Sequence, residues 1–127
     1  MKRTRWLIGL AAMVAGSGTG FAQGEKELPV GRCSITGYAC VGCTADWHIH
    51  LRKGTACVVA LTSTSRGTGL TVTRKPIMGG AKARDLYKFE YWSTRAGSDS
   101  FQVRRDGIDG SGRPFTSILN VNARVTD

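Results

Sequence analysis

The stretch Trp47-His48-Ile49-His50-Leu51-Arg52 is the clearest indication of the fold. Large apolar side chains alternate with histidine and arginine, and a period of two places the two kinds on opposite faces of a β-strand. Lys53-Gly54 follows as a turn signal and ends the run. We therefore predict a strand with one buried face and one face in solvent.

Strands of this kind recur along the rest of the chain. Apolar or alternating runs occupy residues 57–62, 70–74, 87–92, 101–103 and 119–125. Turn residues separate the runs at roughly the 8–12-residue spacing of small β-sandwiches, and no segment after residue 22 keeps a helical period. A chain of 127 residues with 41% hydrophobic residues has room for one such domain. Because two packed sheets can bury these faces, we predict an all-β, antiparallel β-sandwich of about seven strands.

One motif in the C-terminal half is more specific than strand patterning. Tyr91, a short turn and the segment Gly97-Ser98-Asp99-Ser100-Phe101 resemble the bacterial immunoglobulin-like, cadherin-like domains, whose repeats carry a Gly-x-Asp-x-Phe motif. Residues 72–80 resemble their valine-x-x-x-proline-x-x-glycine hairpin, and the resemblance covers residues 47–126. It implies an immunoglobulin-like sandwich. Members usually occur in long tandem arrays, whereas this chain holds one copy.

The residues of the motif also have a physical interpretation. Gly97 permits the turn, Asp99 can accept hydrogen bonds from exposed backbone N–H groups, and Phe101 enters the core. Together with Tyr91 they are predicted to be structural rather than catalytic residues.

Residues 1–22 have the three parts of a secretory signal peptide. A basic start is followed by an apolar run over residues 6–15 and by small residues ahead of a cleavage point before Gln23. The apolar run is too short to cross a hydrocarbon core of about 30 Å as a helix, and no second run of about twenty follows. We expect a protein without a transmembrane segment that is exported to the periplasm or the extracellular medium.

The charge of the chain is basic but dispersed. Eighteen Lys and Arg residues face nine Asp and Glu residues, for a net charge of +9. Lys2, Arg3 and Arg5 belong to the predicted signal. The other cations are scattered in pairs such as Arg104-Arg105, without the basic helix that favours nucleic acid. The expected partner is a protein or an envelope polysaccharide, and not a nucleic acid.

Four cysteines remain after the predicted cleavage: Cys33, Cys40, Cys43 and Cys57. An even number in a small exported domain indicates disulfides, with three possible connectivities. Because Cys57 lies in an apolar run, we predict that it pairs with Cys33 or Cys43, in preference to an isolated Cys40–Cys43 link. Three of the four lie in an N-terminal segment, residues 23–46, that is predicted to precede the domain of residues 47–127.

A metal site is the main alternative for these residues. Cys40, Cys43, His48 and His50 lie within eleven residues, and histidines at i and i+2 share one strand face. Such a set could hold zinc or copper. Exported thiols oxidise, however, and zinc histidines are usually three to five residues apart. We therefore predict no cofactor.

No catalytic motif stands out in the sequence. There is no Gly-x-Ser-x-Gly elbow, and Cys40-x-x-Cys43 lacks the βαβ context of a redox pair. We predict an exported, non-enzymatic immunoglobulin-like structural or interaction module of the bacterial cell envelope. A small metal-binding periplasmic protein and an envelope carbohydrate-binding protein are the alternatives.

Overall fold

The computed structural model describes residues 28–38, 40–61 and 65–127, so the predicted signal peptide lies outside the described residues. Those residues contain strands and no helix, which confirms the all-β prediction. The strands are β1 (Cys33–Thr36), β2 (Thr44–Arg52), β3 (Thr55–Ala60), β4 (Arg66–Arg74), β5 (Gly80–Ala83), β6 (Lys88–Ser93), β7 (Gly97–Ile108) and β8 (Pro114–Thr126).

The strands form the two sheets of a β-sandwich. The larger sheet has the order β1-β2-β8-β7-β4 and the smaller sheet has the order β3-β6-β5. Strands β2 and β8 run parallel, from Thr44 opposite Ile118 to Arg52 opposite Thr126, so the prediction of a purely antiparallel sandwich is wrong at this pair. Parallel neighbours need a long crossover, and these two are joined through the whole sandwich. No local pattern reports such a pairing.

The core lies between the sheets and follows the predicted alternation. Trp47, Ile49 and Leu51 of β2 are buried, while the intervening residues of that strand are exposed. Phe101 and Val103 are fully buried, as predicted, and Phe101 meets the rings of Phe89 and Tyr91 from the smaller sheet. The remaining buried apolar residues include Val59, Phe89, Tyr91, Leu119, Val121 and Val125.

The sandwich begins earlier than the predicted boundary at residue 47. Strand β1 pairs antiparallel with β2, with Cys33 opposite Leu51 and Thr36 opposite His48. Val30 also forms a bridge with Ala56 of β3. Within the N-terminal segment the described residues therefore belong to the domain. Sequence alone missed β1 because this four-residue strand is exposed at three positions and shows no alternation.

Strand β4 also begins earlier than predicted, at Arg66 instead of Leu70. Gly67 and Gly69 favour a turn in the sequence, yet they pair with Gly107 and Asp106 of β7 on either side of a register shift. Here the glycines belong to a β-bulge.

Two disulfides stabilise the sandwich. Cys33 of β1 is bonded to Cys57 of β3, and this bond links the two sheets. Cys33 is one of the two partners predicted for Cys57. Cys40 is bonded to Cys43, the link that we disfavoured, with their Cα atoms 5.7 Å apart. That prediction is wrong because the pairing of Cys33 with Cys57 leaves Cys40 and Cys43 to each other, at a distance a disulfide can bridge.

Candidate functional site

Asp99 of the Gly-x-Asp-x-Phe motif organises one end of the sandwich. Its Oδ1 accepts a hydrogen bond from the N–H of Ile77 at 3.0 Å, and its Oδ2 accepts from Met78 at 3.1 Å and Gly79 at 2.9 Å. The hydroxyl of Tyr91 donates to the same Oδ2 at 2.8 Å. One carboxylate therefore holds the 75–79 loop and connects β7 to β6 of the opposite sheet.

The charge states of this cluster follow from its contacts. Partial burial opposes ionisation of Asp99, but hydrogen bonds from Gly79, Tyr91, Ile77 and Ser100 outweigh it and hold the pKa of the carboxyl below its ordinary value. Burial, together with the hydrogen bond to the Asp99 carboxylate and its charge, raises the pKa of Tyr91 well above its usual range. At neutral pH the pair is thus a charged acceptor and a neutral donor.

We expect Asp99→Asn to lower the free energy of unfolding by about 2 kcal/mol at neutral pH, because an amide cannot accept from every donor that faces the carboxylate. A carboxyl whose pKa is lowered by folding stabilises the protein above the unfolded pKa and loses that effect as the pH falls through the folded pKa. In urea titrations the gap between wild type and variant should be constant above about pH 5. It should narrow below the ordinary carboxyl value of 3.8.

Tyr91→Phe is the matched control, since it removes one of the donors and leaves the carboxylate in place. Tyr91→Phe should lower the free energy of unfolding by less than Asp99→Asn does. If the difference in free energy of unfolding between wild type and Asp99→Asn does not change with pH, the role of Asp99 as an ionised acceptor would be contradicted.

The other two residues of the motif have conformational and packing roles. Gly97 has a φ of 145°, and a Cβ atom there would lie 3.2 Å from Sδ of Met78. Phe101 is fully buried, stacked on Tyr91 at 5.4 Å between ring centroids and edge-on to Phe89 at 5.9 Å. The motif therefore forms a packed structural cluster.

The Cys40–Cys43 disulfide removes both cysteines from the set of residues predicted as possible metal ligands. Cysteine ligates a metal as the thiolate, and the sulfurs of Cys40 and Cys43 are bonded to each other. His48 and His50 lie on the solvent-facing side of β2. Across residues 28–38, 40–61 and 65–127, no group of three or more His, Cys, Asp or Glu side chains is placed to hold a metal ion.

These histidines instead line a depression on the outer face of the larger sheet. Its volume is about 490 Å³, and it extends over β1, β2, β8 and the start of β7. Strand pairing places Ser34, His50, Arg124 and Ser98 in one row across the sheet. The next row contains Thr36, His48, Asn122 and Ser100.

The depression continues at both ends. A second one of about 500 Å³ shares Ser34 and His50 with it and adds Arg32 and Arg52. A third of about 390 Å³ shares Ser98 and Asn122 and ends at Ile77, which is 95% exposed. We call the three together the sheet groove.

The two halves of this sheet face differ in their hydrogen bonding. Outside the groove, Nε2 of Gln102 donates to Oδ1 of Asn120 at 3.0 Å, and the Thr73 hydroxyl donates to Oε1 of Gln102 at 2.9 Å. Within it, several polar side chains make no hydrogen bond or ion pair with any described residue, and His48, His50, Asn122 and Arg124 are among them. Those donors and acceptors are open to a ligand.

The sequence indicates that the two histidines face solvent, but it does not single out Asn122 and Arg124 as site residues. Both occupy polar positions in an alternating strand, which is the only local signal they carry. Their place beside His48 and His50 depends on the parallel pairing of β2 and β8.

Arg105, which in the sequence belongs to one of the scattered cationic pairs, is buried in the sandwich. It is 2% exposed, donates to Oγ of Ser65 at 3.2 Å and lies 5.6 Å from the ring centroid of Phe115. It lies on the inward side of β7 with Phe101 and Val103. Its position two residues after Val103 could have indicated from the sequence that its side chain is buried.

In the described part of the chain there is no helix with the length and apolar character needed to span a membrane. Comparison with protein-family models, with curated proteins and with solved structures finds no match to this chain.

Proposed function

We propose that this protein is an exported, non-enzymatic, immunoglobulin-like module that binds a component of the bacterial cell envelope through the sheet groove. The observation that carries the proposal is the set of open polar side chains, centred on His48, His50, Asn122 and Arg124, beside a part of the same face where Thr73, Gln102 and Asn120 are hydrogen-bonded to one another. A sheet holds such side chains at fixed spacings, which lowers the entropy that binding costs.

The order of the strands supports the immunoglobulin-like part of the proposal. Immunoglobulin sandwiches place strands B, E and D in one sheet and C, F and G in the other. With β3 as strand B and β8 as strand G, the orders β3-β6-β5 and β4-β7-β8 follow this arrangement. The Gly-x-Asp-x-Phe motif occupies the start of β7, the strand that corresponds to F in this comparison.

Export is supported by the state of the cysteines. All four are paired in disulfides, and disulfides persist in oxidising compartments such as the periplasm and the extracellular medium. The signal pattern of residues 1–22 independently favours the same destination.

We expect the protein from an expressing bacterium to appear outside the cytoplasm, begin at or near Gln23 and contain no free thiol. Intact-mass spectrometry after alkylation without reduction should show no added alkyl group, because every cysteine is bonded. Alkylation after reduction and unfolding is the control and should label all four cysteines. Cytoplasmic protein with alkylatable cysteines would contradict the proposal.

A further inference from the structure

We propose that the sheet groove binds a segment of an anionic polysaccharide, with a carboxylate of the sugar chain paired with Arg124. This inference rests on the proposed function and names the chemical class of its ligand.

The charges along the groove favour an anion. Arg124 lines the first depression and Arg32 and Arg52 line the second, whereas Asp99 is the one acidic residue among the described residues that line the groove. Asp99 is already occupied by hydrogen bonds from the protein, including those from Tyr91 and three backbone N–H groups. Arg124 makes no ion pair with the described residues, so its guanidinium can hold a carboxylate through two parallel hydrogen bonds.

The polar side chains around Arg124 suit the hydroxyl groups of a sugar chain. His48 and His50 lie about 6.7 Å apart along β2, and their partners on the neighbouring strand β8, Asn122 and Arg124, are about 4.8 Å away. Asn122 offers a donor and an acceptor, and imidazole nitrogens can also serve in either role. A chain laid across the strands would meet one of these groups at each strand.

The lining also distinguishes an anionic polysaccharide from other polymers. The described residues that line the three depressions include no Phe, Tyr or Trp. Single-stranded nucleic acids are held by successive bases stacking on aromatic side chains, and among the described lining residues only the imidazoles of His48 and His50 could take that role. Ionic pairing and hydrogen bonds to hydroxyl groups remain, and these are the contacts that a carboxylated sugar chain can make.

The test is calorimetric titration of the purified protein at low salt with oligomers of polygalacturonate, with neutral dextran oligomers of similar length as the comparison. Wild type should bind polygalacturonate and show no measurable binding of dextran. Arg124→Gln should raise the Kd for polygalacturonate at least about fivefold, because it removes a charged hydrogen-bonding partner.

Arg113→Gln is the matched control. Arg113 is exposed, lies between β7 and β8 outside the groove, and its loss changes the net charge equally. Its Kd should change by less than about twofold, because exposed charges beyond the screening length contribute little. Equal thermal melting of both variants and wild type shows that neither substitution disturbs the fold.

NMR provides a second measurement on wild type. Added polygalacturonate should shift the backbone amide signals of His48, His50 and Asn122, and leave those around Arg113 unchanged. Equal weakening by both variants would overturn the proposal, since it would mean diffuse attraction between charges. Binding of dextran or of a DNA oligonucleotide as tight as that of polygalacturonate would also overturn it.

Failure of this inference can be distinguished from failure of the proposed function. If polygalacturonate does not bind, the polysaccharide proposal is overturned. In that case, the proposed function would still hold if an envelope protein binds to wild type and does not bind to Arg124→Gln, because the groove would then be the binding face for that protein. Protein that remains in the cytoplasm with free thiols would instead refute the proposed function itself.

Discussion

Replacement of Phe101 by alanine is expected to lower the free energy of unfolding by about 3–5 kcal/mol. The side chain is fully buried, stacks on Tyr91 and meets the edge of Phe89, so its removal leaves a cavity between the two sheets. Small domains are stable by about 5–15 kcal/mol, and this change would remove a large fraction of that margin. Urea denaturation followed by tryptophan fluorescence measures the loss.

Gln102→Ala is the control on the opposite face of the same strand. Gln102 bonds with Asn120 and Thr73 on the outer side of the sheet, where water can replace those contacts. Its loss should cost about 1 kcal/mol or less. Similar losses at positions 101 and 102 would contradict the assignment of the two faces of β7.

Loss of the Cys33–Cys57 disulfide is the second change with a large expected effect. The double variant Cys33→Ala/Cys57→Ala opens a loop with a sequence separation of 24 residues. The chain-entropy relation gives a loss of about 3.5 kcal/mol in the free energy of unfolding. The bond also joins β1 at the edge of the larger sheet to β3 of the smaller one, so its loss frees the N-terminal edge of the sandwich.

The Cys40→Ser/Cys43→Ser variant is the comparison, since it opens a loop with a separation of only three residues. The same relation gives about 2 kcal/mol for that loop. Urea denaturation of both variants under one set of conditions should therefore rank the inter-sheet bond as the stronger stabiliser. A larger loss for the short loop would show that loop length does not determine the stabilisation in this protein.

The structural cluster and the sheet groove are connected through the 75–79 loop. Asp99 holds the backbone N–H groups of Ile77, Met78 and Gly79, and Ile77 and Met78 line the third depression of the groove. The same carboxylate that stabilises the fold therefore shapes one end of the proposed binding surface. Variants of Asp99 are for this reason unsuitable as binding controls, and Arg124 is the better probe.

The sequence was sufficient to predict six of the eight described strands, all except β1 and β5, and the buried faces of the clearly alternating ones. In Trp47–Arg52 and in residues 119–125 the alternation of apolar and polar side chains determines which face is buried, because each strand must bury one side. The position of Phe101 in the core could be predicted for the same reason. Cys57, within an apolar strand, indicated a bond to the N-terminal cysteines, one of which proved to be its partner.

Only the tertiary structure decided how those strands lie beside one another. The short strand β1 has no periodic pattern, and the parallel pairing of β2 with β8 joins residues more than seventy positions apart. That pairing brings His48 and His50 next to Asn122 and Arg124 and so creates the sheet groove. Alternation specifies which side of a strand is buried but not which strand lies next to it, because the neighbour is selected by packing and hydrogen bonding across the whole sheet.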